Sequence, residues 1–170
     1  MATGHGLFAV NRSQTGRGIV LLDSRFDSRL YELIPHRPPM LLINKVLKVD
    51  ERTSSSLVVI DEDSPFFEQD HGVPAWIGLE YMGQTAALIA GHQLQQGLTP
   101  PHLGFLLGTR AYKAECSYFK KGEYTVRCEE KAIVGDGLAT FDCFIENYDK
   151  NSQTIKCLAT ASLSVFRRQI

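Results

Sequence analysis

The chain has 170 residues, 44% of them hydrophobic, and a formal net charge of −1, enough length and apolar content to bury a substantial core. A near-neutral balance argues against a nucleic-acid partner, because neutralising phosphates needs a clear excess of Lys and Arg. The four cysteines, at 116, 128, 143 and 157, form no Cys-x-x-Cys pair and no Cys/His cluster of zinc spacing; no metal is expected, and reduced thiols fit a cytoplasmic protein.

Residues 1–26 are rich in Gly, Ser, Asn and Arg and lack helical periodicity, so they form an N-terminal extension in which GIVLL (18–22) could add an edge strand. No apolar core of a secretory signal is present there, and no run elsewhere is apolar and long enough to span a membrane. From 27 to 170 a folded domain is expected. DSRLYELI (27–34) reads as a short helix with Asp27 or Ser28 as its cap, ended by Pro35. The prolines of PHRPPM (35–40) make a stiff connection. LLINKVLKVD (41–50) and SSLVVID (55–61) form a hairpin-like strand pair around a polar ERTSS, and 61–72 is a loop.

From Pro74 to about Gln96 the period becomes helical, and the helix is apolar nearly all round, which marks a buried central element. Beyond it the period changes to two: strands are expected near 105–118, 123–134, 138–148 and 153–166, with turns at KKGE, VGDG and DKNSQ. Ala139, Phe141, Cys143 and Ile145 share one face, as do Cys157, Ala159, Ala161, Leu163 and Val165. Two strands, one long helix and four more strands predict an α+β fold, an antiparallel sheet wrapped around the helix. One sheet covers one side of a helix that is apolar all round, so a homodimer is expected to cover the other.

Within the helix, Glu80 stands among AWIGLEYMGQTAALIAG, with Gln84 one turn on and able to hydrogen-bond it. Burial would raise the proton affinity of such a carboxyl, as a group that holds and then donates a proton requires. The plainer alternative is a carboxyl satisfied by Gln84 and a backbone amide, with a packing role only. His71, in the loop before the helix, can act as a general base near neutral pH, or be a solvated loop histidine. Helical rise puts Glu80 about 9 Å along the axis from a helix start at Pro74, so the pair makes sense if it meets across a dimer interface. Free amides at Ala75 and Trp76 could bind a developing oxyanion. His36 reads as a hydrogen-bonding anchor, His5 and His102 as solvated, and His92 as too distant along the helix. Gly78, Gly83 and Gly91 signal close helix–sheet approach, and Met40, Met82 and Trp76 core or tunnel wall.

LIPHRPPMLLINKVLKVD (33–50), VPAWIGLEYMGQTAA (73–87) and the strand pattern from GFLLGTRAYKAECSYFKKGEYTVRCEEK to TASLSVF together resemble the bacterial 3-hydroxyacyl-[acyl-carrier-protein] dehydratases of the hot-dog fold. The resemblance covers roughly residues 27–166. It implies a dimer with shared active sites, in which a His of one subunit and an acidic residue of the other remove water from a (3R)-3-hydroxyacyl thioester in fatty-acid or polyketide-type biosynthesis. Carried over, Glu80 matches the acidic residue, Gln84 the Gln after it, and Ala75 the position of a glycine whose amide binds the thioester carbonyl. His71 is the histidine near the catalytic position, although DHGVP is a shortened form of the family's Gly-His-Phe-Pro segment. That form is similar to the dehydratase-like branch of aryl-polyene and related pathways. No cofactor is implied. Acyl carrier protein is the implied partner, with Arg110, Lys113, Lys120, Lys121, Arg167 and Arg168 available to receive it or simply solvated. The rival expectations are an acyl thioesterase on the same fold and a non-catalytic subunit that partners a second hot-dog dehydratase.

Overall fold

The computed structural model describes residues 23–170; the edge strand expected at 18–22, with the extension through residue 22, lies outside the described residues. Helix α1 (Ser28–Leu33) is capped by Asp27, whose carboxylate accepts from the Arg29 amide at 3.0 Å, and it buries Leu30 and Leu33. Strands β1 (Lys45–Val49) and β2 (Thr53–Ile60) form the expected hairpin. β2 starts earlier than its serines suggest, because Ser54 and Ser56 face the interior. The Ser54 hydroxyl donates to the Thr85 carbonyl at 2.6 Å, and the Ser56 and Thr85 hydroxyls bond at 2.7 Å. Polar residues that look like a turn are thus a strand satisfied by the central helix.

The short strand β3 (Val73–Pro74) precedes a 3₁₀ turn (Ala75–Ile77), and only then does helix α2 run, from Gly78 to Gln95. The helix therefore starts four residues after the expected Pro74, because Pro74 is paired in a strand. Six strands form one antiparallel path in the order β1-β2-β7-β8-β9-β4, with β4 at His102–Thr109, β7 at Gly122–Val134, β8 at Leu138–Asp149 and β9 at Thr154–Gln169. This sheet curls around α2, the hot-dog arrangement that the resemblance implies. The single strand expected at 105–118 is in fact three: β4, then β5 (Lys113–Ala114), which also pairs with β9, and β6 (Tyr118–Phe119), which pairs with β3.

Ala139, Phe141, Cys143 and Ile145 line the core as expected. In β9 the alternation slips. Glu146 pairs with Cys157 while the adjacent Ile145 pairs with Ala159, so Leu158 is the extra residue of a bulge. A bulge moves the following side chains to the opposite face, which buries Leu158 and Ala159 together and leaves Cys157 exposed rather than in the core. The close approaches at the helix glycines are of two kinds. A Cβ at Gly78 would lie 2.5 Å from the Tyr112 hydroxyl and 2.9 Å from Ile145 Cδ1 of the sheet, whereas one at Gly91 would lie 1.9 Å from the Leu33 carbonyl oxygen of α1. Gly83 is open, with only Leu106 Cδ2 at 3.7 Å.

Candidate active site

Gln84 is fully buried, and it joins α2 to the connection between α1 and β1. Its side-chain oxygen accepts from the Leu42 amide at 2.9 Å, and its nitrogen donates to the Met40 carbonyl at 2.7 Å and to Glu80 Oε1 at 3.0 Å. The i, i+4 spacing on α2 supplies the last of these contacts. The first two pull the PHRPPM segment down onto the start of the helix, so that His36 arrives beside Glu80.

His36 Nε2 stands 3.7 Å from Glu80 Oε1, with the two side chains 30% and 37% exposed. Glu80 is therefore a half-open carboxylate in the first turn of α2, not one sealed among apolar neighbours. His36 Nδ1 is buried and has no hydrogen-bond partner among the described residues. Desolvation holds the imidazole below its ordinary proton affinity. The Glu80 charge opposes that shift, and Arg37 adds to it. From the sequence alone His36 reads as an anchor. The prolines around it signal a rigid segment, but its arrival at Glu80 depends on a long-range contact through Gln84.

The remaining candidates lie elsewhere. His71 is exposed, its Nδ1 is 2.9 Å from the Gln69 carbonyl, and its ring tilts against Tyr118 at 5.1 Å. It lines an open groove of about 650 Å³ with Phe67, Asp70, Lys120 and Lys121, and no bond joins it to Glu80 among the described residues. The Ala75 amide donates to the Ser117 carbonyl at 2.9 Å, and the Ala75 carbonyl accepts from the Tyr112 hydroxyl. Ala75 is thus committed to the fold and does not offer the free amide expected of it, which leaves Trp76 as the nearest amide of that turn. The Trp76 side chain is 64% exposed and packs edge-on against Phe66 at 6.2 Å. Met40 is likewise exposed, whereas Met82 is core.

Of the basic residues, Arg167 is turned inward. Its guanidinium pairs with Glu130, both side chains being under 10% exposed (8% and 7%), so it is not available to a partner. Lys121 pairs with Glu62 on the surface. Arg110, Lys113, Lys120 and Arg168 are exposed. Among the described residues no group of three or more His, Cys, Asp or Glu side chains is placed to hold a metal ion, and no helix is long and apolar enough to cross a membrane.

The ApeP-like family, described as ApeP dehydratase, matches residues 28–169. A 3-hydroxyacyl-[acyl-carrier-protein] dehydratase, FabZ of Anaeromyxobacter dehalogenans, is 31% identical over 84 residues, 46% of this chain and 54% of the relative; the chain thus spans about half the length of the curated relative it matches. Among solved structures, the dehydratase heterocomplex ApeI:P from Xenorhabdus doucetiae matches with a TM-score of 0.70 at 23% identity, over 82% of this chain and 91% of that one. A thioesterase family protein from Silicibacter pomeroyi matches with a TM-score of 0.61 at 10% identity, over 79% and 91%. At such identities the structural likeness establishes the hot-dog fold alone. The family match runs from α1 through β9 and takes in both PHRPPM and the Glu80–Gln84 turn of the helix. On that match, the chain belongs to the ApeP-like dehydratase family.

Proposed function

We propose that this protein dehydrates (3R)-3-hydroxyacyl thioesters carried on acyl carrier protein to trans-2-enoyl thioesters. The observation that carries the reading is a half-open Glu80 carboxylate, held at 3.0 Å by Gln84 and flanked by an imidazole at 3.7 Å. Dehydration breaks the C2–H and C3–O bonds, forms the C2–C3 double bond and releases water. Protonated Glu80 gives its proton to the departing hydroxyl, a base takes the C2 proton, and an amide such as that of Trp76 steadies the enolate-like thioester oxygen. Family membership and the dehydratase relative support this chemistry over hydrolysis. A second hot-dog subunit, here a second copy of the chain, covers the open side of α2 and closes the acyl tunnel. The acidic carrier protein meets exposed cations such as Lys120 and Arg168.

The test is incubation of the purified full chain with (3R)-3-hydroxyacyl carrier protein, read by intact mass. Loss of one water from the acyl group is expected, and Glu80→Gln abolishes it while the fold survives. Release of free acid would move the assignment to a thioesterase. An unchanged thioester across several chain lengths would make the chain a binding subunit.

A further inference from the structure

We infer that a pocket between Tyr81 of α2, the approach to β1 and the end of β2 is a second binding site, one that takes a small uncharged ring bearing a hydrogen-bonding oxygen, of the size of phenol. Its lining includes none of Glu80, Gln84, His36, His71 or Trp76, so the inference stands independently of the proposed function.

The room is of the right size and character. The pocket encloses about 160 Å³ and is walled by Phe26, Leu41, Leu42, Val58 and Val59, of which Leu41, Leu42 and Val58 belong to the core. An apolar cavity of roughly 150 Å³ takes up benzene. Leu42 lines the pocket and also gives its amide to Gln84 at 2.9 Å, so the wall is fixed to α2.

The polar group that a ligand would meet is the Tyr81 hydroxyl. A buried tyrosine ordinarily finds a partner for its hydroxyl, because leaving one unbonded in an apolar setting is costly. Tyr112 donates to the Ala75 carbonyl, Tyr118 to Glu68 at 3.0 Å and Tyr124 to the Lys120 carbonyl at 2.7 Å. Tyr81 is more deeply buried than any of these, at 3% exposure, yet no described residue bonds its hydroxyl. Its ring packs against Phe119 at 6.2 Å, and the residue lines the pocket. Burial, and after it the neighbouring Tyr124, keep the proton on that oxygen, which makes it a donor to an acceptor oxygen of the ligand. The other polar side chains lining the pocket are engaged. Asn44 Oδ1 accepts from the Val59 amide at 2.8 Å, and the Ser64 hydroxyl bonds Asp61 at 3.1 Å.

The charges around the pocket select against an ionic ligand. The Arg25 guanidinium is occupied by Asp23, with contacts of 2.6 to 3.1 Å, and Asp61 and Asp63 lie near enough to hold its proton. A carboxylate would meet these acids. A cation would find the Asp61 carboxylate already bonded by the Asp63 amide at 3.0 Å and by Ser64.

The experiment titrates the full chain, with isotope-labelled Leu and Val methyl groups, against phenol, benzene, benzoate and benzylammonium, and reads methyl shifts by NMR. Phenol should shift Leu41, Leu42, Val58 and Val59 saturably. Benzene should reach the same methyls about threefold to tenfold more weakly, the contribution of one hydrogen bond, and both ions should bind more weakly than phenol. Tyr81→Phe keeps the ring and removes only a hydroxyl without a partner among the described residues. It should retain the wild-type melt, lower the affinity for phenol to that for benzene and leave benzene unchanged. Shifts that do not saturate, shifts spread over exposed side chains such as Leu103 and Leu107, or a Tyr81→Phe chain that binds phenol as tightly as wild type overturns the site. Benzoate or benzylammonium binding as tightly as phenol overturns the assignment to an uncharged ligand. If Tyr81→Phe unfolds, the comparison of phenol with benzene on wild type decides, and equal affinities overturn the role of the hydroxyl.

Discussion

The Gln84 carboxamide satisfies a backbone amide at Leu42, a backbone carbonyl at Met40 and the Glu80 carboxylate, all from a position with no solvent access. Truncating it leaves a donor and an acceptor unpaired beneath the PHRPPM segment. Each such group costs roughly 1–3 kcal/mol. Gln84→Ala is expected to lower unfolding free energy by about 2–4 kcal/mol, measured by urea denaturation, and to loosen His36 from Glu80. A change under half a kilocalorie would show that water replaces the carboxamide. The Glu80–Gln84 contact was legible because both residues lie on one helix, where spacing dictates proximity. His36 was not legible in that way. Its place beside Glu80 follows from Met40 and Leu42 docking on Gln84, more than forty residues away, and no local pattern encodes such a contact. Within one chain the β3–β6 pairing and the 3₁₀ turn keep His71 apart from Glu80, as the helical rise predicts, so a pair of the two belongs between subunits.

At the scale of elements, periodicity exposed the central helix and the long strands, and it failed where tertiary contacts break the period. The bulge at Leu158 and the division of 105–118 into three strands are both set by pairing partners, which alternation does not reveal. The helix glycines show the same limit. The sequence suggests that Gly91 faces the sheet, but it faces the end of α1, where the Leu33 carbonyl leaves no room for a methyl group. Alanine normally stabilises a helix over glycine by about 1 kcal/mol. Here the clash reverses the sign. Gly91→Ala is expected to destabilise by about 1–3 kcal/mol, a fall of roughly 3–10 °C in Tm for a chain of this size, read by calorimetry. A rise in Tm would mean that α1 shifts freely, and with it the segment that carries His36.

For the whole molecule, the decisive feature is the side of α2 that the sheet does not reach. Leu79, Glu80, Gly83, Ala87 and Ala90 are only partly covered, and they recur every three or four residues along one face. Beside them β4 ends the sheet with its outer edge unpaired among the described residues, and it exposes Leu103, Phe105, Leu106 and Leu107. An apolar edge strand of this length invites pairing with another strand, and the continuous apolar surface marks an association site. A second copy placed edge to edge at β4 would extend the sheet and lay helix against helix, with Leu106 central because it borders Gly83. Leu106→Glu would bury a carboxylate in that contact, while in a free chain it meets solvent. The expected result is a fall in mass by light scattering from two chains to one, with the melting transition of the isolated chain retained. Glu80 lies on the face that such a second copy would cover, so under the proposed function the single chain should also lose dehydration even though Glu80, Gln84 and His36 remain in place. A variant that keeps both its double mass and its activity would put the contact elsewhere.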